Sequence, residues 1–128
     1  MSGVPAPAAA RALIERGSGA NFAATAAGAG DPRLLPRLLP PGVDQAADRV
    51  AGAIGRLARW RLTGREGRVL TATRTTRIFR FVDDVLVLLE PAPGGTRVLA
   101  RSASRVGRSD LGQNRRNLAE LWRALDAG

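Results

Sequence analysis

Gly17, Gly19, Gly28, Gly30, Pro32, Pro36, Pro40 and Pro41 punctuate the first third of the chain and rule out a long continuous helix there. The regular core must therefore be drawn mainly from residues 43–128. Residues 1–17 read as a flexible N-terminus, in which Ala6 to Arg16 offers a short helix with a small apolar patch at Leu13 and Ile14. That segment is below the length at which a helix holds without packing. Residues 18–42 read as an extended arm. Leu34, Leu35, Leu38 and Leu39 are too apolar for a free linker, so the arm is expected to lie across the domain and cover part of its core.

From Asp44 onward the periodicity becomes informative. Val43, Ala47, Val50, Ile54 and Leu57 recur at spacings of three and four, which predicts a helix over 43–58 with Asp44 as its N-cap. Trp60 to Thr63 and Arg68 to Thr76 are rich in β-branched and apolar residues, and the turn-like Gly64-Arg65-Glu66-Gly67 between them makes a hairpin. A third strand is expected from Ile78 to about Leu89, with a bulge or exposed bend at Asp83-Asp84. Pro91 to Gly95 turns the chain into a fourth strand, Thr96 to Ser102. Leu118, Leu121, Trp122 and Leu125 form the stripe of a final helix, and Asp110 followed by Gln113 resembles a capping box. The expected fold is a single α+β domain over 18–128: an antiparallel meander of about four strands with two main helices packed on one face. Trp60 and Trp122, each beside an apolar stripe, read as core anchors.

A chain of 128 residues that is 45% apolar can bury one core but hardly two. His, Lys, Tyr and Cys are all absent. These supply most general acid–base and nucleophilic catalysis, and imidazole and thiolate are the main ligands of zinc and copper. Only carboxylates and hydroxyls remain, so a catalytic role is disfavoured and no cofactor or metal is expected. Asp83 and Asp84 suit Mg²⁺ or Ca²⁺ as residue types, but neighbours on a strand point to opposite faces. The net charge of +9 raises nucleic acid or an anionic membrane as partner. Every cation is Arg, however, as coding bias alone would produce, and no helix-turn-helix, RNA-binding aromatic motif or zinc finger accompanies them. No apolar run approaches the roughly 18–20 residues of a membrane span. Met1 to Ala10 lacks the basic start and Leu-rich stretch of a secretory signal, so a cytoplasmic location is expected.

The segment Arg101 to Arg116 places five arginines, three serines, two glycines and an asparagine between a strand and a helix. Guanidinium forks near a helix start suit phosphate or carboxylate, making Arg101, Ser102, Ser104, Arg105, Ser109, Asp110, Asn114 and Arg115 the candidate residues of an anion site. The competing reading is structural. Asp110 caps the helix, and Arg101, Arg105 or Arg115 pairs with Asp83 or Asp84 one strand away. A third reading makes Asp83 or Asp84 a general base beside an Arg-stabilised anion, with Ser102, Ser104 or Ser109 positioning substrate. For the segment itself the structural network is the favoured reading; for the protein's function, a non-catalytic binding or interaction module for an anionic ligand or a protein partner is favoured over a nucleic-acid or membrane surface and over catalysis.

The run RSASRVGRSDLGQNRRNLAELWRAL, preceded by Phe81-Val82-Asp83-Asp84-Val85, resembles the C-terminal signature of the bacterial and plastid family called domain of unknown function 1499. Its members resemble R-S-x-S-R-x-G-x-S-D-x-G-x-N-R followed by a helix and preceded by a strand with F-x-D-D. The resemblance extends more weakly upstream to about Gly17. Family members typically open with a C-P-x-S-P-N-C-V-like stretch, where this chain has Ser18-Gly19-Ala20-Asn21-Phe22-Ala23 and keeps only Asn21. Many relatives carry membrane segments or lipoprotein-type leaders, which implies envelope or plastid settings. The family implies no established activity.

Overall fold

The computed structural model describes residues 3–106 and 109–128. In chain order the elements are α1 (Pro7–Ile14), β1 (Phe22–Ala24), a single 3-10 turn (Pro32–Leu34), β2 (Arg37–Leu39), α2 (Val43–Arg56), β3 (Trp60–Glu66), β4 (Val69–Thr75), β5 (Val82–Ala92), β6 (Gly95–Ser104) and α3 (Gln113–Ala127). The class is α+β, with a six-stranded antiparallel sheet in the order β1-β6-β5-β4-β3 and with β2 also paired to β6.

The expected meander is present as β3 to β6, and the arm adds two strands to it. β1 pairs with Arg101 to Ala103 of β6, and β2 pairs with Thr96 to Val98 on the same edge. Thr25 fills the gap between them: its N–H donates to the Ala100 carbonyl at 2.9 Å, and its Oγ1 accepts from the Ala100 N–H at 3.1 Å. Pro36 and Pro40 bracket β2 and keep it short, since proline cannot donate to a ladder. Within residues 1–17, read from the sequence as a flexible N-terminus, α1 buries Ala10 and Ile14.

Alternation along each strand divides the sheet into two faces. One carries Leu70 and Ala72 of β4, Val85, Val87 and Leu89 of β5, and Val98 and Ala100 of β6. α2 and α3 cover it with Val50, Ile54, Leu118, Leu121, Trp122 and Leu125, which gives the main core. Trp122 is fully enclosed and donates Nε1–H to the Arg33 carbonyl at 2.8 Å, so its polar edge is satisfied as its rings bury. The opposite face carries Val69 and Leu88, covered by Ala10 and Ile14 of α1 together with Ala24. Helices therefore lie on both faces, the two larger ones together on one.

Four local expectations are corrected. The hairpin turn is at Gly67-Arg68 and not at Gly64 to Gly67; Gly67 has φ +57°, and β3 absorbs Gly64 through a register shift between Leu62 and Gly64. The third strand starts at Val82 and not at Ile78, because Thr76 and Phe81 close a loop: Thr76 N–H donates to Phe81 O, and Phe81 N–H donates to Thr76 Oγ1, each at 2.8 Å. Asp83-Asp84 forms no bulge, pairing in continuous register with Arg74 and Thr73 on one side and with Ser104 and Ala103 on the other. β5 also runs on through Pro91-Ala92 before the chain turns.

Candidate functional site

The covered face changes character at one end of the sheet. Continuing the apolar rows outward, the next residues on that face are Arg74 on β4, Asp83 on β5, and Ser102 and Ser104 on β6. Arg74, Asp83 and Ser102 are buried, as are Asn114 and Asn117, which α3 lowers onto them. A hydrogen-bond network joins the layers. Ser102 Oγ donates to Asn114 Oδ1 at 2.7 Å, and Asn117 Nδ2 donates to Ser102 Oγ at 3.1 Å and to Asp83 Oδ2 at 2.8 Å. Asn114 Nδ2 reaches Asp110 Oδ2 at 2.6 Å, Ser104 Oγ at 2.9 Å and Asn21 O at 3.0 Å.

Asp110 holds the start of α3, though not as a reciprocal capping box. Its carboxylate accepts from the N–H groups of Gly112 at 2.8 Å and Asn114 at 3.0 Å. Gln113 does not reach back but donates Nε2–H to Asn117 Oδ1 at 2.8 Å. The N-cap position itself is Gly112, at φ 82°.

Beside this network a pocket of about 540 Å³ opens between the Thr76–Phe81 loop and the residues leading into α3. Such a volume falls within the roughly 300–1,000 Å³ of small-molecule sites. Its floor includes Arg74, Asp83 and Ser104, and Arg59, Arg77 and Arg116 stand around it. Ile78, Phe79 and Leu111, at 80%, 73% and 84% exposure, form an apolar rim with Phe81 and Val106. The Phe79 and Phe81 rings stack at 5.6 Å. Arg80 and Leu111, one in each flanking loop, both have φ of 53°, the only non-glycine residues with positive φ among those described. That conformation costs about 1–2 kcal/mol per residue for an L-amino acid. Arg116 fixes the second loop by donating Nη1–H to Leu111 O at 3.0 Å.

The structure separates the residues singled out in the sequence into three groups. Ser104, Ser109, Asp110 and Asp83 line the pocket. Ser102 and Asn114 lie beneath it in the buried network. Arg101, Arg105 and Arg115 lie elsewhere: Arg101 and Arg105 belong to the opposite face of the sheet, while Arg115 is on α3 and pairs with Asp31 at 2.9 Å. Arg101 sits 5.1 Å over the Phe22 ring, and burial, with Arg16 nearby, lowers its pKa. Arg105 grips Asp84 through Nε at 3.0 Å and Nη2 at 2.9 Å, and these hydrogen bonds raise its pKa. Gly107 and Arg108 of the same segment lie outside the described residues.

The expected clamp between the C-terminal arginines and Asp83-Asp84 therefore involves only Arg105 and the exposed Asp84. Asp83 and Asp84 point to opposite faces and do not converge on one ion. The cations around the pocket, Arg59, Arg74, Arg77 and Arg116, were missed as a group, because no sequence spacing links the β3 start, the β4 end and α3. Arg74 alone carried a signal, lying opposite Asp83 once the β4–β5 register is drawn. Glu120, another residue not singled out, accepts from Trp60 Nε1 and lies 3.5 Å from Arg74 Nε.

Fold and site together define an α+β domain with an amphipathic pocket at one end of an antiparallel sheet. The chain belongs to the DUF1499 family, described as proteins of unknown function, whose family model matches residues 14–125. Comparison with curated proteins and with solved structures returned no match. Among the described residues no helix is long and apolar enough to cross a membrane.

Proposed function

We propose that this protein is a binding module whose pocket takes an amphipathic organic anion. The observation that carries the reading is the convergence, at one opening, of an exposed apolar rim with arginines that lack carboxylates. Among the described residues Arg59, Arg77 and Arg116 of the pocket form no ion pair, and the fourth pocket arginine, Arg74, pairs with Glu120 at 3.5 Å. Exposed apolar groups beside unneutralised cations match a ligand with one greasy and one anionic part. The two strained loop residues at the rim fit a site held in shape before its ligand arrives. A nucleic-acid surface has less support, since Arg101 and Arg105 stand on the opposite side of the sheet from Arg115.

The test is fluorescence titration of the purified chain with anilinonaphthalene sulfonate, an aromatic anion, followed by displacement with decyl phosphate. Saturable enhancement, displaced by decyl phosphate and lost in Phe79→Ser and Arg77→Gln variants that still unfold cooperatively, supports the reading. Binding only to phosphatidylglycerol vesicles, with no effect of monomeric decyl phosphate, assigns the rim to a membrane surface instead. No saturable binding of either kind refutes the pocket.

One observation favours a second reading, carboxylate-dependent catalysis. Asp83 faces the pocket beside Ser104 and, among the described residues, forms no ion pair. A carboxylate so placed would act as general base for a bound hydroxyl or water. Recovery of a bound ester unchanged after long incubation excludes this reading, whereas turnover abolished by Asp83→Asn establishes it.

A further inference from the structure

We infer that the ligand's polar end carries a hydrogen-bond donor beside its anionic oxygen, as a glycerophosphate does, and that Asp83 and Arg74 divide the two between them. This rests on the pocket reading above. Arg74 and Asp83 are direct cross-strand partners on β4 and β5, and both line the pocket. Both are more than nine-tenths buried, with exposures of 7% and 1%. Opposite charges in such positions ordinarily pair. Here they form no ion pair with each other: Arg74 pairs with Glu120 instead, at 3.5 Å from a buried Nε that has no hydrogen-bond partner. Asp83 accepts one hydrogen bond, from Asn117 Nδ2 at 2.8 Å.

A carboxylate offers about four acceptor positions and no donor, while a guanidinium offers about five donors and no acceptor. Buried charges short of hydrogen bonds are costly, so a guanidinium and a carboxylate that lie side by side in a pocket without pairing to each other are suited to partners from outside. A bare oxyanion would satisfy Arg74 and meet the like charge of Asp83. A neutral donor would satisfy Asp83 and leave Arg74 short. A phosphodiester with free hydroxyls answers both, with its alkyl chain against Phe79, Phe81 and Leu111 at the rim.

The experiment is isothermal titration of the full chain with two monomeric probes of equal charge and chain length: decyl phosphoglycerol, which has free hydroxyls, and decyl methyl phosphate, which has none. Decyl phosphoglycerol is expected to bind tighter by about tenfold or more, the scale of one charge-assisted hydrogen bond. Asp83→Asn keeps an acceptor for Asn117 and should collapse the preference to about twofold, mainly by weakening the glycerol probe. Equal affinities in the native protein overturn the headgroup inference and leave the pocket reading standing, as does a preference that survives Asp83→Asn. If neither probe binds, both fall. Should the variant lose its cooperative melt, the preference of the native protein decides alone.

Discussion

The two ends of the same sheet face have been put to different uses. At one end Leu70, Val87 and Ala100 form a cross-strand row sealed beneath α2 and α3. Four residues along, the row is Arg74, Asp83 and Ser104, in the same register and on the same side, and it opens into a pocket. The sealed row is satisfied by packing alone. The open row sets Arg74 beside Asp83 without an ion pair between them, and exposed apolar side chains of the flanking loops stand at its edge. Between them lies a polar layer, Ser102, Asn114 and Asn117, whose hydrogen bonds fix α3 over both.

Substitutions along the two rows and between them test this comparison. Leu70→Ala in the sealed row should cost about 2–5 kcal/mol by urea denaturation, because the cavity cannot collapse against the sheet. Arg74→Met combined with Glu120→Gln, which removes both charges of the 3.5 Å pair four residues further along β4, should cost no more than about 1 kcal/mol by the same measurement. Destabilisation of this double variant on the scale of Leu70→Ala would erase the distinction between the two ends. Asn114→Ala, in the layer between, should cost about 2–3 kcal/mol, since it strips partners from Ser102, Asp110 and the Asn21 carbonyl. Phe79→Ser should move stability by no more than about 0.5 kcal/mol, as expected of an exposed side chain, while removing dye binding.

The smallest expected effect lies away from both rows and depends on pH. Arg33 hydrogen bonds, with a further one from Arg115, hold the Asp31 carboxyl well below its ordinary value of 3.8. A lowered folded-state pKa adds stability above the unfolded value and loses it as pH falls. Asp31→Asn should therefore lower the urea midpoint at neutral pH by an amount that shrinks progressively below pH 3.8. A difference that stays constant into acid would assign the effect to something other than the charge.

Much of the sealed end was legible in the sequence. The three- and four-residue spacing of Val50, Ile54, Leu118 and Leu125 gives α2 and α3, and alternation gives the inward residues of β5 and β6. β1 and β2 were not legible, because segments as short as Phe22–Ala24 and Arg37–Leu39 become strands only through the β6 edge they meet. Phe79 and Phe81 fit a strand by spacing, yet Thr76 closes the loop upon them and Arg80 takes a positive φ that no periodicity encodes. The segment from Arg101 to Arg116 supplies Ser104, Ser109, Asp110 and Arg116 to the pocket, but its arginines and serines were given a common role that the period of a strand forbids. On β6 Ser102 and Ser104 must face one way and Arg101 the other.

The most direct test of the central claim, that the open end of the sheet is where a ligand enters, is an amide chemical-shift map of the native chain titrated with decyl phosphate. Saturable shifts are expected at Ile78 to Phe81, Asp83, Leu111 and Arg116, with little change at α1 or around Arg101 and Phe22. Shifts centred on Arg101 and Arg105, or none that saturate, would contradict it.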